Sequence, residues 1–309
     1  MAVSEVNGSV SAEVQWPEAE RWLLVAVLAV EMLMGVVGNI CVLTVKVMCR
    51  GQFRCRYWLP FFSLSLSDLG CSLLITSGSM LATIAEGQSS PWCEAVSLLK
   101  FAFITSSIGS IAILCVQRAM GPSSAKSPVF VVMATACSAS WLTGVVFGSV
   151  PVVYAWIRYD PAEMLCAVFW ENSYSDMLTY ILCAFSLCIF LPFLLIFACS
   201  AITAAGGLRG NREAEADLSD VAPLLVASYM VCYTPFFVSE LVLLGSLDLA
   251  PAPNWLRTLS SVMSYLDCGV NPLIYCCHQT FREAGLALLW TRRRAESEPV
   301  LTAITTTET

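Results

Sequence analysis

Asp68, Lys100, Glu240 and Asp267 each stand inside a long apolar run, where an ionised side chain needs either a partner or a task. On insertion scales such a charge costs about 2.5–3.5 kcal/mol at the centre of a membrane helix. For Asp68 one such partner is a hydrogen-bonded polar cluster that fixes helix packing. Lys100 offers an ammonium to the carboxylate of an acidic ligand, or to Glu240 as an internal partner. The run Asn271-Pro272-Leu273-Ile274-Tyr275 has the chemistry of a switch. Proline frees a backbone carbonyl inside a helix, and the neighbouring Asn and Tyr satisfy such groups or exchange partners as the helix bends; a merely tolerated kink is the alternative. No comparable constellation points to an enzyme. His278 is the sole histidine, and there is no His-Glu-x-x-His metal motif, no Gly-x-Ser-x-Gly elbow and no phosphate-binding glycine loop.

Long apolar helices must position these residues. Of 309 residues, 57% are hydrophobic and 13% charged, in long apolar blocks, which is the composition of a multi-span membrane protein. Spans are expected near 22–48, 58–85, 92–118, 128–151, 177–204, 219–245 and 255–276. With no water in hydrocarbon to satisfy the backbone, the fold class is an all-α membrane protein, a seven-transmembrane helix bundle. A tail over 1–21 precedes the bundle at 22–276, a short amphipathic eighth helix follows at 277–291, and a polar, disordered tail closes the chain at 292–309. Twelve of the sixteen Lys and Arg flank the loops and tail of one side, so the protein is placed in the cell membrane with its N-terminus outside and its C-terminus in the cytoplasm. Scattered along loop edges, these charges do not form a nucleic-acid surface. No basic segment followed by an apolar core opens the chain, so the first span is expected to act as its own targeting signal. Asn7-Gly8-Ser9 fits the glycosylation acceptor pattern. Most of the fifteen cysteines fall within spans as small hydrophobes, and Cys276 and Cys277 are expected to be buried or acylated. Cys93 and Cys166 lie on the outer, oxidising side, either bridged or as two free thiols.

Motifs recur in order along the spans: Gly38-Asn39 in the first, Leu64-Ser65-Leu66-Ser67-Asp68 in the second, and Cys93 to Arg118 in the third. Trp141 and Pro151 follow in the fourth, Pro192 in the fifth, Cys232-Tyr233-Thr234-Pro235 in the sixth, the Asn-Pro run in the seventh, and Phe281-Arg282 beyond it. In these motifs and their spacing the chain resembles the rhodopsin-like (class A) G-protein-coupled receptors from about residue 20 to 290.

That resemblance implies a ligand pocket with Lys100, Tyr233, Glu240 and Tyr265, below a loop pinned by Cys93 and Cys166. It implies an activation switch of Ile108, Arg118, Pro192, Glu215, Tyr229, Pro235, Asn271, Pro272 and Tyr275. Glu215, twenty residues before Pro235, stands where many relatives place the acid that locks the third span to the sixth; a solvated helix start is the alternative. Ser107, Asp267 and Asn271 are implied to converge with Asp68 on a sodium site, where a cation bridges the two carboxylates or one stays protonated. There are departures from the family pattern. The Asp/Glu-Arg-Tyr motif reads Gln117-Arg118-Ala119, the sixth-span Trp is Tyr233, and a fifth-span Tyr is Ser200. Loss of the acid beside Arg118 is expected to raise signalling without ligand. The implied partners are an extracellular ligand, a heterotrimeric G protein, arrestin on the phosphorylated tail, and membrane lipid. A covalent retinal Schiff base is not expected, because Lys46, Lys100 and Lys126 all lie outside the seventh span and Tyr265 takes the place of the opsin lysine. A receptor-like protein with weak coupling is the alternative. A cation-coupled transporter is less favoured, since seven spans without an internal repeat do not divide into inverted halves.

Overall fold

A backbone amide in hydrocarbon has no water to bond, so each crossing must close its hydrogen bonds within one segment. The computed structural model describes residues 17–48, 58–85, 91–120, 127–168, 174–207, 221–245, 252–279 and 281–288. Helix α1 (Glu18–Met48) is the first span; the second joins α2 (Trp58–Gly70), a π-helical turn (Cys71–Thr76) and α3 (Ser77–Ile84). The third and fourth are α4 (Pro91–Met120) and α5 (Ser127–Val153). The fifth joins α6 (Tyr174–Ala184), a second π turn (Phe185–Phe190) and α7 (Leu191–Gly207). Helices α8 (Ala222–Gly245) and α9 (Asn254–Cys277) complete the bundle, near the positions the apolar blocks predict. A π turn inserts one residue and so rotates the face beyond it by about 100°. In the fifth span that turn ends two residues before Pro192, whose missing N–H cannot bond back to it.

Six spans are long and apolar enough to cross a membrane by length and composition. The seventh, α9, is more polar, but its Ser260, Ser261, Ser264, Asp267 and Asn271 are all buried, so the bundle and not lipid receives them. Large apolar side chains such as Leu33, Val132, Leu142 and Phe197 face outward instead. The third span is the axis of the bundle: 67% of its apolar window is buried, against 17% for the fourth.

Small residues and polar ties set the packing. Asn39 donates to the backbone oxygens of Gly35 (2.8 Å) and Cys268 (2.9 Å), joining spans one and seven. Trp141 Nε1 donates to Ser63 Oγ at 3.0 Å and Ser110 Oγ to the same oxygen at 2.9 Å, joining spans two, three and four. A Cβ at Gly38 would come within 2.7 Å of the Pro272 ring, which is why the first span tolerates nothing larger there.

Outside the bundle, β1 (Ile157–Asp160) pairs antiparallel with β2 (Leu165–Val168). A Cys93–Cys166 disulfide fixes this hairpin to the third span, with the Cα atoms 5.4 Å apart, resolving the thiol alternatives in favour of the bridge. Its turn dips into the bundle: Met164, at φ 58°, and Leu165 pack with Leu28, Val96, Phe103 and Tyr265. Past the seventh span, 281–288 form α10, with Phe281 and Ala284 buried and Arg282 and Glu283 exposed. It is amphipathic as expected; of the expected range 277–291, Cys277 completes α9, and residues 280 and 289–291 lie outside the described residues. Cys276 and Cys277 are exposed, against the expectation of burial.

Candidate functional site

The hairpin roofs a cavity of about 260 Å³ between α4, α6, α8 and α9. Lys100, Phe101 and Ile104 come from α4, Tyr180 and Ile181 from α6, Phe236, Glu240 and Leu243 from α8, and Arg257 from α9. The hairpin contributes Asp160 and Glu163. Glu163 stands between two cations: its Oε2 is 3.6 Å from Lys100 Nζ, and its Oε1 accepts from Arg257 Nη2 at 3.2 Å. Arg257 also grips Asp160, so the hairpin is tied to both sides of the opening. The internal pair weighed from the sequence, Lys100 with Glu240, is therefore replaced, because the folded hairpin delivers a nearer carboxylate. Glu163 carries no motif, and its closeness in sequence to Cys166 was the one signal available.

Two residues assigned to the pocket are not in its wall. Tyr233 is buried about two turns inward of Glu240 and stacks on Tyr229 with ring centroids 4.3 Å apart. Tyr265 shares a 2.9 Å hydrogen bond with Ser79, and Lys100 Nζ lies 5.7 Å from its ring. Both are core side chains, and Tyr265 adjoins the cavity through Lys100. Of the outer aromatics, Trp92, Tyr154 and Trp255 are exposed, as an interfacial belt requires.

Mid-membrane, Asn271 Nδ2 donates to Asp68 Oδ2 at 3.0 Å and to Asp267 Oδ2 at 3.3 Å, so one amide bridges the two acids. Ser228 Oγ adds a 3.1 Å bond to Asp267 Oδ1, a member no spacing revealed. Asn271 Oδ1 and Ser107 Oγ are buried without a hydrogen-bond partner among the described residues. Two carboxylates and two unanswered oxygens lack positive charge, and an all-oxygen donor set suits a hard cation such as sodium.

At the inner end, buried Tyr275 packs edge-on against Phe61 (5.4 Å between centroids) and beside Phe281 (6.0 Å). Lys46 Nζ lies over both the Phe61 and Tyr275 rings and donates to Ser65 Oγ at 3.4 Å. Its sequence position marks only a charge at the edge of a span; the contact depends on the fold. Gln117 is buried with its amide on Met133 Sδ, turned to the fourth span, while Arg118 is half-buried in the last turn of α4. Ile108, Tyr229 and Tyr233 share one core cluster, and Pro192 and Pro235 lie within α7 and α8. Glu215 and Asn7 lie outside the described residues. Glu31, a buried carboxyl in α1, was not singled out by any motif.

Residues 38–275 match the family described as 7 transmembrane receptor (rhodopsin family). This chain belongs to that family. The receptor is 28% identical to short-wave-sensitive opsin 1 of Bos taurus over 50% of its own length and 46% of that protein's. It is 23% identical to parapinopsin of Ictalurus punctatus over 91% of its length and 86% of that protein's. The first of these alignments thus spans about half of the curated relative. Its fold matches the crystal structure of squid rhodopsin with a TM-score of 0.71 at 21% identity, covering 90% of this receptor and 87% of that chain. The Cys93–Cys166 bridge, the Asn39 tie and the Asp68–Asn271 bond are thereby placed in a receptor framework.

Proposed function

We propose that this receptor couples to heterotrimeric G proteins and carries a signal from the outer cavity to a cytoplasmic cleft around Arg118. What supports this most directly is a ladder of buried polar and aromatic groups between the two ends. Tyr265 adjoins the cavity through Lys100, Tyr233 stacks on Tyr229 in the core, Asp68, Asn271 and Asp267 occupy the middle, and Tyr275 packs beneath Lys46. Each rung joins at least two spans, so a shift of α8 or α9 at one level repacks the next. Asp68, Ser107, Asp267 and Asn271 would hold a sodium ion, which neutralises the paired acids and favours the resting packing. The extracellular ligand enters from the side of the N-terminal tail, Asn7 is glycosylated there, and the tail at 292–309 serves arrestin once phosphorylated.

A retinal Schiff base does not fit these residues: α9 contains no lysine, and Tyr265 is hydrogen-bonded to Ser79. The second reading, a receptor with weak coupling, is favoured by Gln117, whose amide engages Met133 where relatives carry an acid beside the arginine. The deciding experiment measures recruitment of each G-protein class to the receptor in cells, with Arg118→Ala as control. Recruitment lost in the variant supports coupling through the cleft. Silence in every class at verified surface expression favours the weak-coupling reading. Gln117→Asp, which restores an acid, is expected to lower basal recruitment; unchanged output removes Gln117 as its cause.

A further inference from the structure

The charges around the outer cavity do not balance. Lys100 and Arg257 face three carboxylates, Asp160, Glu163 and Glu240. Glu163 engages both cations and Asp160 engages Arg257, which leaves Glu240 without a hydrogen bond or ion pair among the described residues. In the sequence, residues 1–16, 86–90, 169–173 and 246–251 contain no Lys or Arg side chain. The cavity that Glu240 lines also carries the aromatic rings of Phe101, Tyr180, Phe185 and Phe236. A carboxylate in such a wall is stabilised by a cation that enters with an apolar body, through charge pairing and contact with ring faces.

An anionic ligand is the competing class, since Lys100 and Arg257 both point to the cavity. It would add a further negative charge to cations that Glu163 and Asp160 already engage, beside Glu240. A cation reaches Glu240 without breaking any existing pair. The field outside agrees in sign: the N-terminal tail, outer loops and outer halves of the spans carry thirteen Asp and Glu against four Lys and Arg, which concentrates cations at the opening. Size narrows the class further. At about 260 Å³ the cavity is just below the ~300 Å³ at which ligand pockets usually begin, so the body is about one ring.

We infer that the outer cavity takes a small protonated amine with a single-ring or similarly compact apolar body, anchored on Glu240, while Glu163 stays with Lys100 and Arg257. This rests on the cavity being the receptor's ligand site, but not on which transducer it engages.

The test compares three probes of one shape on the purified full-length receptor: benzylamine, benzyl alcohol and benzoate, read as the dependence of Tm on concentration. Benzylamine is expected to raise Tm by at least about 2 °C more than the alcohol. That rise should vanish in Glu240→Gln and persist in Glu240→Asp. If Glu240→Gln does not fold, the wild-type comparison still decides, because the probes differ chiefly in head-group charge. A larger shift with benzoate, removed by Lys100→Gln, would overturn the amine assignment while keeping the cavity as a ligand site. Equal shifts for amine and alcohol, or no shift with any probe, would also overturn it. G-protein recruitment is measured separately, so failure of coupling and failure of the ligand class are distinguishable.

Discussion

Lys46 holds its ammonium 4.7 Å from the centre of the Tyr275 ring, so a cation of the first span sits on the tyrosine that ends the seventh span's Asn-Pro run. The same ammonium is 4.8 Å from the Phe61 ring, which itself meets Tyr275 edge-on. A cation over an aromatic face contributes about 0.5–2 kcal/mol, and here it favours one position of Tyr275.

Lys46→Met keeps the stem and removes the charge. The expected result is a lower Tm together with higher basal G-protein recruitment, because Tyr275 is freed to repack. A fall in Tm with unchanged recruitment would assign Lys46 to stability alone.

The bridge from Asn271 to both aspartates predicts ion sensitivity. Wild-type receptor should melt higher in sodium chloride than in choline chloride at equal ionic strength, and Asp68→Asn should erase the difference. Asn271→Ala strands the buried Asp68 carboxylate and leaves Asp267 with Ser228 alone, at a cost of about 1–3 kcal/mol, seen as a fall in Tm in either salt.

Arg257 holds Asp160 and Glu163 over the cavity. Breaking a buried ion pair costs about 3–5 kcal/mol, and the 12–28% exposure of these side chains places Arg257→Ala toward the lower end. Faster hydrogen exchange at β1 and β2 is the accompanying expectation, with the disulfide intact.

Gly144 lies on α5 where a Cβ would meet the Ala102 backbone of α4 at 2.8 Å, and at Gly148 it would meet the Leu98 carbonyl oxygen at 2.8 Å. Backbone cannot move aside as a side chain can. Gly144→Leu should therefore lose about 1–3 kcal/mol or more and depress surface expression, whereas Gly245→Ala, with nothing within 4 Å, should not.

Much of this receptor was written in its order of residues. Seven apolar blocks forced seven helices, since lipid offers the backbone no other partner, and the motif spacing brought Asp68, Asn271 and Asp267 to one level. Helical periodicity runs along a single segment, so it also placed Lys100 and Glu240 near the outer opening and Tyr275 at the inner end. What it could not do was choose partners across segments. Lys100 chose Glu163 over Glu240 because a disulfide and a buried Met164 pull the hairpin's turn down into the bundle. Tyr233 and Tyr265 turned into the core instead of the cavity wall, and Lys46 found two aromatic rings. The two π turns rotate spans two and five in ways no hydropathy pattern records. An apolar run states that a residue is inside the membrane; only close packing between helices, acting over a few ångströms, determines which charge it meets.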